Sequence, residues 1–239
     1  MGTLDAGTER RLAAFSAEVK DAVGPALVSL ALYGSAAGDD WVASRSDLNV
    51  AIVVERVTLA VLDALAPVIA RWRPRGMALP LILDRVWLDT ALDAFPMELD
   101  DLRRQHRVLA GADPFADLAI DRDALRRACE HEARGKLLRL RARYLECAGD
   151  PDALDALMTE SLKSFLVLVR HLLRLRGAAD VHDYTHVLDA GEAMLGPLPT
   201  MRRLLEHRTG VAPIARRAVG QEFGAYLGEV ERLVAAIDA

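Results

Sequence analysis

An α/β domain with a mixed sheet, followed by an all-α helical bundle, is the fold that this sequence predicts. Two observations predict it. Up to about residue 120, short apolar runs alternate with segments of helical periodicity, whereas after it there are no convincing strands and only long helical patterns broken by glycine and proline. The expected division is therefore residues 1–120 and residues 121–239.

Residues 8 to 24 carry Leu12, Phe15, Val19 and Val23 at helical spacing, and Gly24-Pro25 stops that helix. The run ALVSLALY (26 to 33) reads as a strand ending at Gly34-Ser35. LNVAIVVE (48 to 55), rich in β-branched residues, reads as a second strand. An amphipathic helix over 58 to 72 closes at Arg73-Pro74-Arg75-Gly76. Further strands are expected at 78 to 84 and 95 to 102, with a short edge strand at Arg107 to Ala110. Helices are expected at 122 to 148, 152 to 176, 183 to 194, 198 to 208 and 212 to 237. Their short connections suit an antiparallel bundle.

Composition limits what the chain does. With 239 residues it can bury one large or two modest cores, and 52% hydrophobic with 27% charged residues is ordinary for a globular protein. A formal charge of -5 argues against broad coating of nucleic acid, which needs a positive excess to neutralise phosphates. No apolar run reaches the length of a membrane span, and the first residues lack a signal-peptide core, so a cytoplasmic protein is expected. Cys129 and Cys147 lie on one expected helix about 27 Å apart, too far for a disulfide, and are expected as buried thiols.

The chemistry-bearing stretch is Tyr33-Gly34-Ser35-Ala36-Ala37-Gly38, then Ser46-Asp47-Leu48-Asn49-Val50. Glycine lets a phosphate approach the backbone, and the serine hydroxyl with free N–H groups can bind its oxygens. Asp47 and Asn49 open the next strand, and a period of two puts both side chains on one face. A pair of oxygen ligands beside a phosphate cradle is what holds Mg²⁺ on a nucleoside triphosphate.

This stretch resembles the nucleotidyltransferase superfamily, which includes DNA polymerase beta and the aminoglycoside nucleotidyltransferases. Its motif is Gly-Ser, about ten residues, then Asp-X-Asp, with a third carboxylate on a later strand. The segment Val108-Leu109-Ala110-Gly111-Ala112-Asp113-Pro114 and the helical second half look similar too. The resemblance implies transfer of a nucleoside monophosphate from ATP or another triphosphate to a hydroxyl of a small molecule, with Mg²⁺ as cofactor. It implies Asp47 as catalytic and metal-binding residue, Asn49 as metal ligand, and Gly34, Ser35 and Ser46 at the nucleotide. Glu98 is the choice for the third carboxylate, as metal ligand or general base, with Asp100 next because it would share a strand face, and Asp84 after it. Arg45 and Lys136 are placed by position as phosphate contacts.

The departure is Asn49, where the family has its second metal-binding aspartate. An amide offers a neutral oxygen and no charge, so an enzyme and a nucleotide-binding module without turnover are both open, as fold does not fix function. A protein paired with a partner, as in toxin–antitoxin systems, is a third reading. Asp100, Asp101 and Asp113 are too few to claim a polycationic acceptor. Arg139, Arg141 and Arg143 are expected on a solvated helix face, and His182 with His186 is expected to be structural.

Overall fold

A computed structural model describes residues 4–38, 47–178 and 180–238, the side chains of Ser35 and Thr209 excepted. The chain falls into two compact units, Met1–Ala124 and Leu125–Ala239.

In the first unit, α1 (Ala6–Val23) begins at Asp5, whose carboxylate accepts the N–H groups of Gly7 and Thr8. The remaining elements are β1 (Leu27–Tyr33), β2 (Asn49–Val54), α2 (Leu59–Trp72), β3 (Leu81–Asp84), α3 (Arg85–Thr90), α4 (Pro96–Arg104) and β4 (His106–Gly111). The four strands form one mixed sheet in the order β3-β2-β1-β4. β1 runs antiparallel to β2 and β4, and β2 runs parallel to β3. Alternation along the central strands divides their side chains between two cores. Leu30, Leu32, Val50 and Ile52 pack with Phe15 of α1 and Trp72 of α2. Ala31, Ala51, Val53 and Leu83 pack with Leu99 and Leu102 of α4 and with Phe115. Both faces are covered, which is why β1 and β2 read as continuous apolar runs.

Three expected elements differ in kind or extent, and α3 is one that the sequence did not lead us to expect. Residues 95 to 102 were expected as a strand, and Phe95, Met97 and Leu99 do alternate, but the segment is the helix α4. Pro96 opens it at a position where its missing N–H costs nothing. Asp100, buried, accepts from Arg103 at 2.8 Å and Arg104 at 3.0 Å, pairs at i+3 and i+4 that only a helix brings together. β3 begins at Leu81 rather than at 78, because Pro80 lacks the N–H that a strand position would donate. The last helix begins at Val219 rather than at 212, after the interruption at Pro213.

The second unit contains most of α5 (Arg122–Glu146), then α6 (Pro151–Leu175), α7 (Tyr184–Leu195), α8 (Pro199–Thr209) and α9 (Val219–Asp238). α6 supplies the centre of its core, with Leu162, Phe165, Leu166 and Val169 nearly inaccessible. Phe165 meets Tyr226 edge-on at 6.1 Å, and the Tyr226 hydroxyl shares a 3.0 Å hydrogen bond with Ser161. Glu229 of α9 is 3% exposed, and its two oxygens accept the Thr200 and Met201 N–H groups, both at 2.8 Å, at the start of α8. Glu229→Ala should lower stability by about 2 kcal/mol, since it strands two buried donors; urea unfolding measures this.

Neither Cys129 nor Cys147 is in a disulfide; Cys129 is buried as expected, but Cys147, just past α5, is only half-buried. Arg141 and Arg143 lie on an exposed face in ion pairs with Glu231 and Glu160. His186 sits 3.2 Å from Asp183 at the start of α7. Among the described residues no helix is long and apolar enough to cross a membrane.

Candidate nucleotide site

Strand register assembles the site at one end of the sheet. Tyr33, the last residue of β1, is paired with Asn49 of β2 on one side and His106 of β4 on the other. The chain then leaves the sheet through the turn Gly34–Ala37. Gly34 has φ 72°, a conformation in which a side chain is strained. A Cβ on Gly34 would lie 3.4 Å from Asn49 Nδ2, so the glycine corner and the Asn49 amide are in direct apposition. Asn49 Nδ2 also lies within a long 3.5 Å contact of the Asp47 carbonyl, and Asp47 itself is exposed. By alternation, Asn49 belongs to the sheet face of Ala51 and Val53, the face that α4 covers. Tyr33, half-buried, packs on that same face, and burial pushes its hydroxyl above the ordinary tyrosine range.

The underside of the corner rests on a residue that the sequence reading missed. Gln105, at the junction of α4 and β4, is 8% exposed, and a Cβ on Gly38 would come within 1.7 Å of its Nε2. That Nε2 has no hydrogen-bond partner among the described residues. The only sequence signal was the second glycine after Gly34-Ser35.

His106 follows. Its Nδ1 lies 2.7 Å from the Leu102 carbonyl and its Nε2 3.0 Å from Asp113 Oδ2. Asp113 Oδ1 accepts the Phe115 and Ala116 N–H groups at 2.9 and 3.2 Å. Burial alone would raise the Asp113 carboxyl, but these N–H groups and His106 hold it below the usual carboxylate range. Such a group stabilises the fold above the unfolded pKa of about 3.9, and loses that contribution as pH falls through its lower folded value. Asp113→Asn should therefore be less stable than the native chain at pH 7, with the gap closing as the pH falls below the ordinary aspartate value. Urea titrations across that range read it.

The other expected site residues are distributed as follows. Arg45 and Ser46 lie outside the described residues, as does the Ser35 side chain. Glu98 stands exposed in the first turn of α4, not on a strand, so it no longer shares a face with Asp100. The Asp100 carboxylate points inward and is engaged by two arginines. Asp84 caps α3, accepting the Trp87 N–H at 2.8 Å and the Val57 N–H at 3.1 Å. Those bonds, Trp87's first, hold its carboxyl below the usual range. Asp84 also pairs with Val54, five residues along β2 from Asn49, or about 16 Å. That distance removes it from the site. Lys136 lies on α5 in the second unit, 3.1 Å from Glu132.

Between Gly76 and Leu81 the chain runs alongside the start of β2. Ala78 N donates to the Leu48 carbonyl at 3.0 Å, and Leu81 pairs with Ala51. The positions opposite Asn49 on this side are therefore Ala78 and Leu79, followed by Pro80 and by Leu81 opposite Ala51, none of them acidic. Among the described residues no three His, Cys, Asp or Glu side chains group to hold a metal ion. Of the metal ligands expected from the sequence, the two at this end of the sheet are Asp47, an exposed carboxylate, and Asn49, an amide. That set fits a cation arriving already ligated by phosphates, because Mg²⁺ is commonly held by one or two protein oxygens plus substrate. It does not fit a pair of ions bridged by carboxylates.

The chain is similar in structure to spectinomycin adenyltransferase AAD(9) from Enterococcus faecialis, solved as a crystal structure with ATP and spectinomycin. The likeness covers 97% of this chain and 99% of that one, with a TM-score of 0.59 and 15% identity. What the two share is the fold. No family model matches the sequence, and no curated protein matches it either. Among the described residues the architecture is a mixed sheet of four strands in the first unit and a second, helical unit.

Proposed function

We propose that the chain binds a nucleoside triphosphate, ATP among them, together with Mg²⁺, and transfers its nucleoside monophosphate to a hydroxyl of a small molecule. The apposition of Gly34 with Asn49, beside the exposed Asp47, carries this reading. The full-length likeness in fold to a protein crystallised with ATP supports it.

On this reading, residues 1–120 bind the nucleotide and residues 121–239 form the helical domain. The Gly34-Ser35 corner, with Arg45 and Ser46 after it, cradles the β- and γ-phosphates through backbone N–H groups and side chains. Asp47 and Asn49 hold Mg²⁺, which supplies charge neutralisation on the phosphates when bound. The acceptor oxygen then forms a bond to the α-phosphorus, the bond between the α-phosphorus and the bridging oxygen breaks, and pyrophosphate leaves with that electron pair. The hydroxyl proton passes to a general base, for which Glu98 is the proposal among the acids, since Asp84 is distant and Asp100 is engaged.

A specific observation also favours a second reading, binding without turnover: residues 78 to 81, which run beside β2 from Asn49 to Ala51, carry no carboxylate. Thermal unfolding with ATP, with and without Mg²⁺, tests what the two readings share. A rise in melting temperature that requires Mg²⁺ is the expected result. No shift with any nucleoside triphosphate would remove both. Pyrophosphate release in the presence of hydroxyl acceptors then separates transfer from binding.

A further inference from the structure

The side of the site away from the glycine corner is apolar. We infer that Leu79 and Leu81 form the wall against which an acceptor lies, and that the acceptor is an uncharged hydroxyl compound with an apolar face rather than a polycation. This inference rests on the proposed nucleotide site and adds the class of its second ligand.

The sheet order places three things in a row. The phosphate corner ends β1, the Asp47 and Asn49 pair opens β2, and the segment leading into β3 lies beyond it. Neighbouring strands are about 4.8 Å apart, so the row spans about 10 Å. In-line displacement at the α-phosphorus requires the attacking oxygen to stand opposite the departing pyrophosphate. With the pyrophosphate held at the β1 corner, the acceptor approaches from the β3 side.

On that side the chain presents Leu79, 64% exposed, and Leu81, 37% exposed. Leu81 pairs with Ala51, so it lies on the same sheet face as Asn49. Leu83, two residues further along this face, is 6% exposed and belongs to the core, so the apolar exposure begins where the site begins. An exposed leucine pair lowers its free energy by covering apolar surface, at about 25 cal/mol per Å² buried. It offers a cationic amine neither a countercharge nor a hydrogen bond, and it desolvates that amine at a cost. Nothing in residues 79 to 81 accepts a proton, so the acceptor's proton leaves to water or to a base carried elsewhere.

The test is calorimetric titration of the full-length chain saturated with Mg²⁺ and a non-transferable α,β-methylene ATP analogue. The two probes are phenyl β-D-glucopyranoside, neutral with an aryl face, and kanamycin, a polycation also rich in hydroxyls. Phenyl glucoside should bind at least about tenfold more tightly than kanamycin. In Leu79→Asp/Leu81→Asp that ratio should fall at least about tenfold, a free-energy change of about 1.4 kcal/mol. Preference of the native chain for kanamycin, or no binding of phenyl glucoside, overturns the inference. An unchanged ratio in the folded variant does so too. Should the variant not fold, the native chain's preference decides alone. Failure of the native chain to bind the ATP analogue would instead overturn the underlying nucleotide site, and is read first in the same experiment.

Discussion

Asn49→Asp should raise Mg²⁺-dependent pyrophosphate release by about tenfold or more over the native chain. Asn49 sits against the Gly34 corner and beside Asp47, so an aspartate there would put a second carboxylate next to both. The substitution adds one negative charge and changes little else in size. Two unit charges about 4 Å apart interact by about 4 kcal/mol in a partly exposed protein site. Asp47 is exposed, so solvent screens much of this, and about 1.4 kcal/mol is enough for a factor of ten. Asp47→Asn is the converse change: it removes the carboxylate of the pair and should abolish the Mg²⁺-dependent part of the thermal shift with ATP. Steady-state pyrophosphate assays and melting curves read the two variants. If Asn49→Asp binds Mg²⁺·ATP more tightly yet releases no pyrophosphate with any acceptor, binding without turnover is the better account. If Asn49→Asp and Asp47→Asn both behave as the native chain does, the site is elsewhere.

Gly111→Ala should destabilise the first unit by roughly 3 kcal/mol. Gly111 has φ 81°, and a Cβ there would lie 2.1 Å from the Val28 carbonyl oxygen, which already accepts the Ala112 N–H at 3.1 Å. A left-handed backbone costs an alanine about 1–2 kcal/mol, and forcing an atom into packed space about 1–3 kcal/mol more. The neighbour is backbone on a central strand and cannot swing aside. For a chain of this size each kcal/mol moves the melting temperature by about 2–4 °C, so a fall of roughly 6–12 °C is expected. Because Gly111 ends β4, whose first residue His106 is paired with Tyr33, nucleotide binding should weaken with it. A melting temperature within 2 °C of the native value, on the same scale, would mean that β4 shifts its register without cost.

Much of the fold was legible in the sequence because local patterns were strong. β1 and β2 carry uninterrupted apolar runs, α1 repeats apolar residues at helical spacing, and Gly24, Gly149 and Gly177 mark the ends of elements. The misread segment, 95 to 102, held two periods at once. Phe95, Met97 and Leu99 alternate as a strand would, whereas Leu99, Leu102 and the Asp100–Arg104 pair follow the helical repeat. Packing of Leu99 and Leu102 against the sheet decided in favour of the helix. α3, only six residues long, is too short to show periodicity and depends on the Asp84 cap.

The residues of the candidate site divide along the same line. By itself the sequence determined that a glycine corner ends one strand and that the spaced Asp47–Asn49 pair opens the next, because a glycine turn and a period of two are local properties of the chain. The tertiary structure alone decided what surrounds that pair. Gln105 beneath Gly38, the leucines beside Asn49 and the removal of Asp84 to the far end of β3 all follow from strand order and register. Those are fixed by which apolar faces pack together across the whole unit, and no local stretch of sequence contains them.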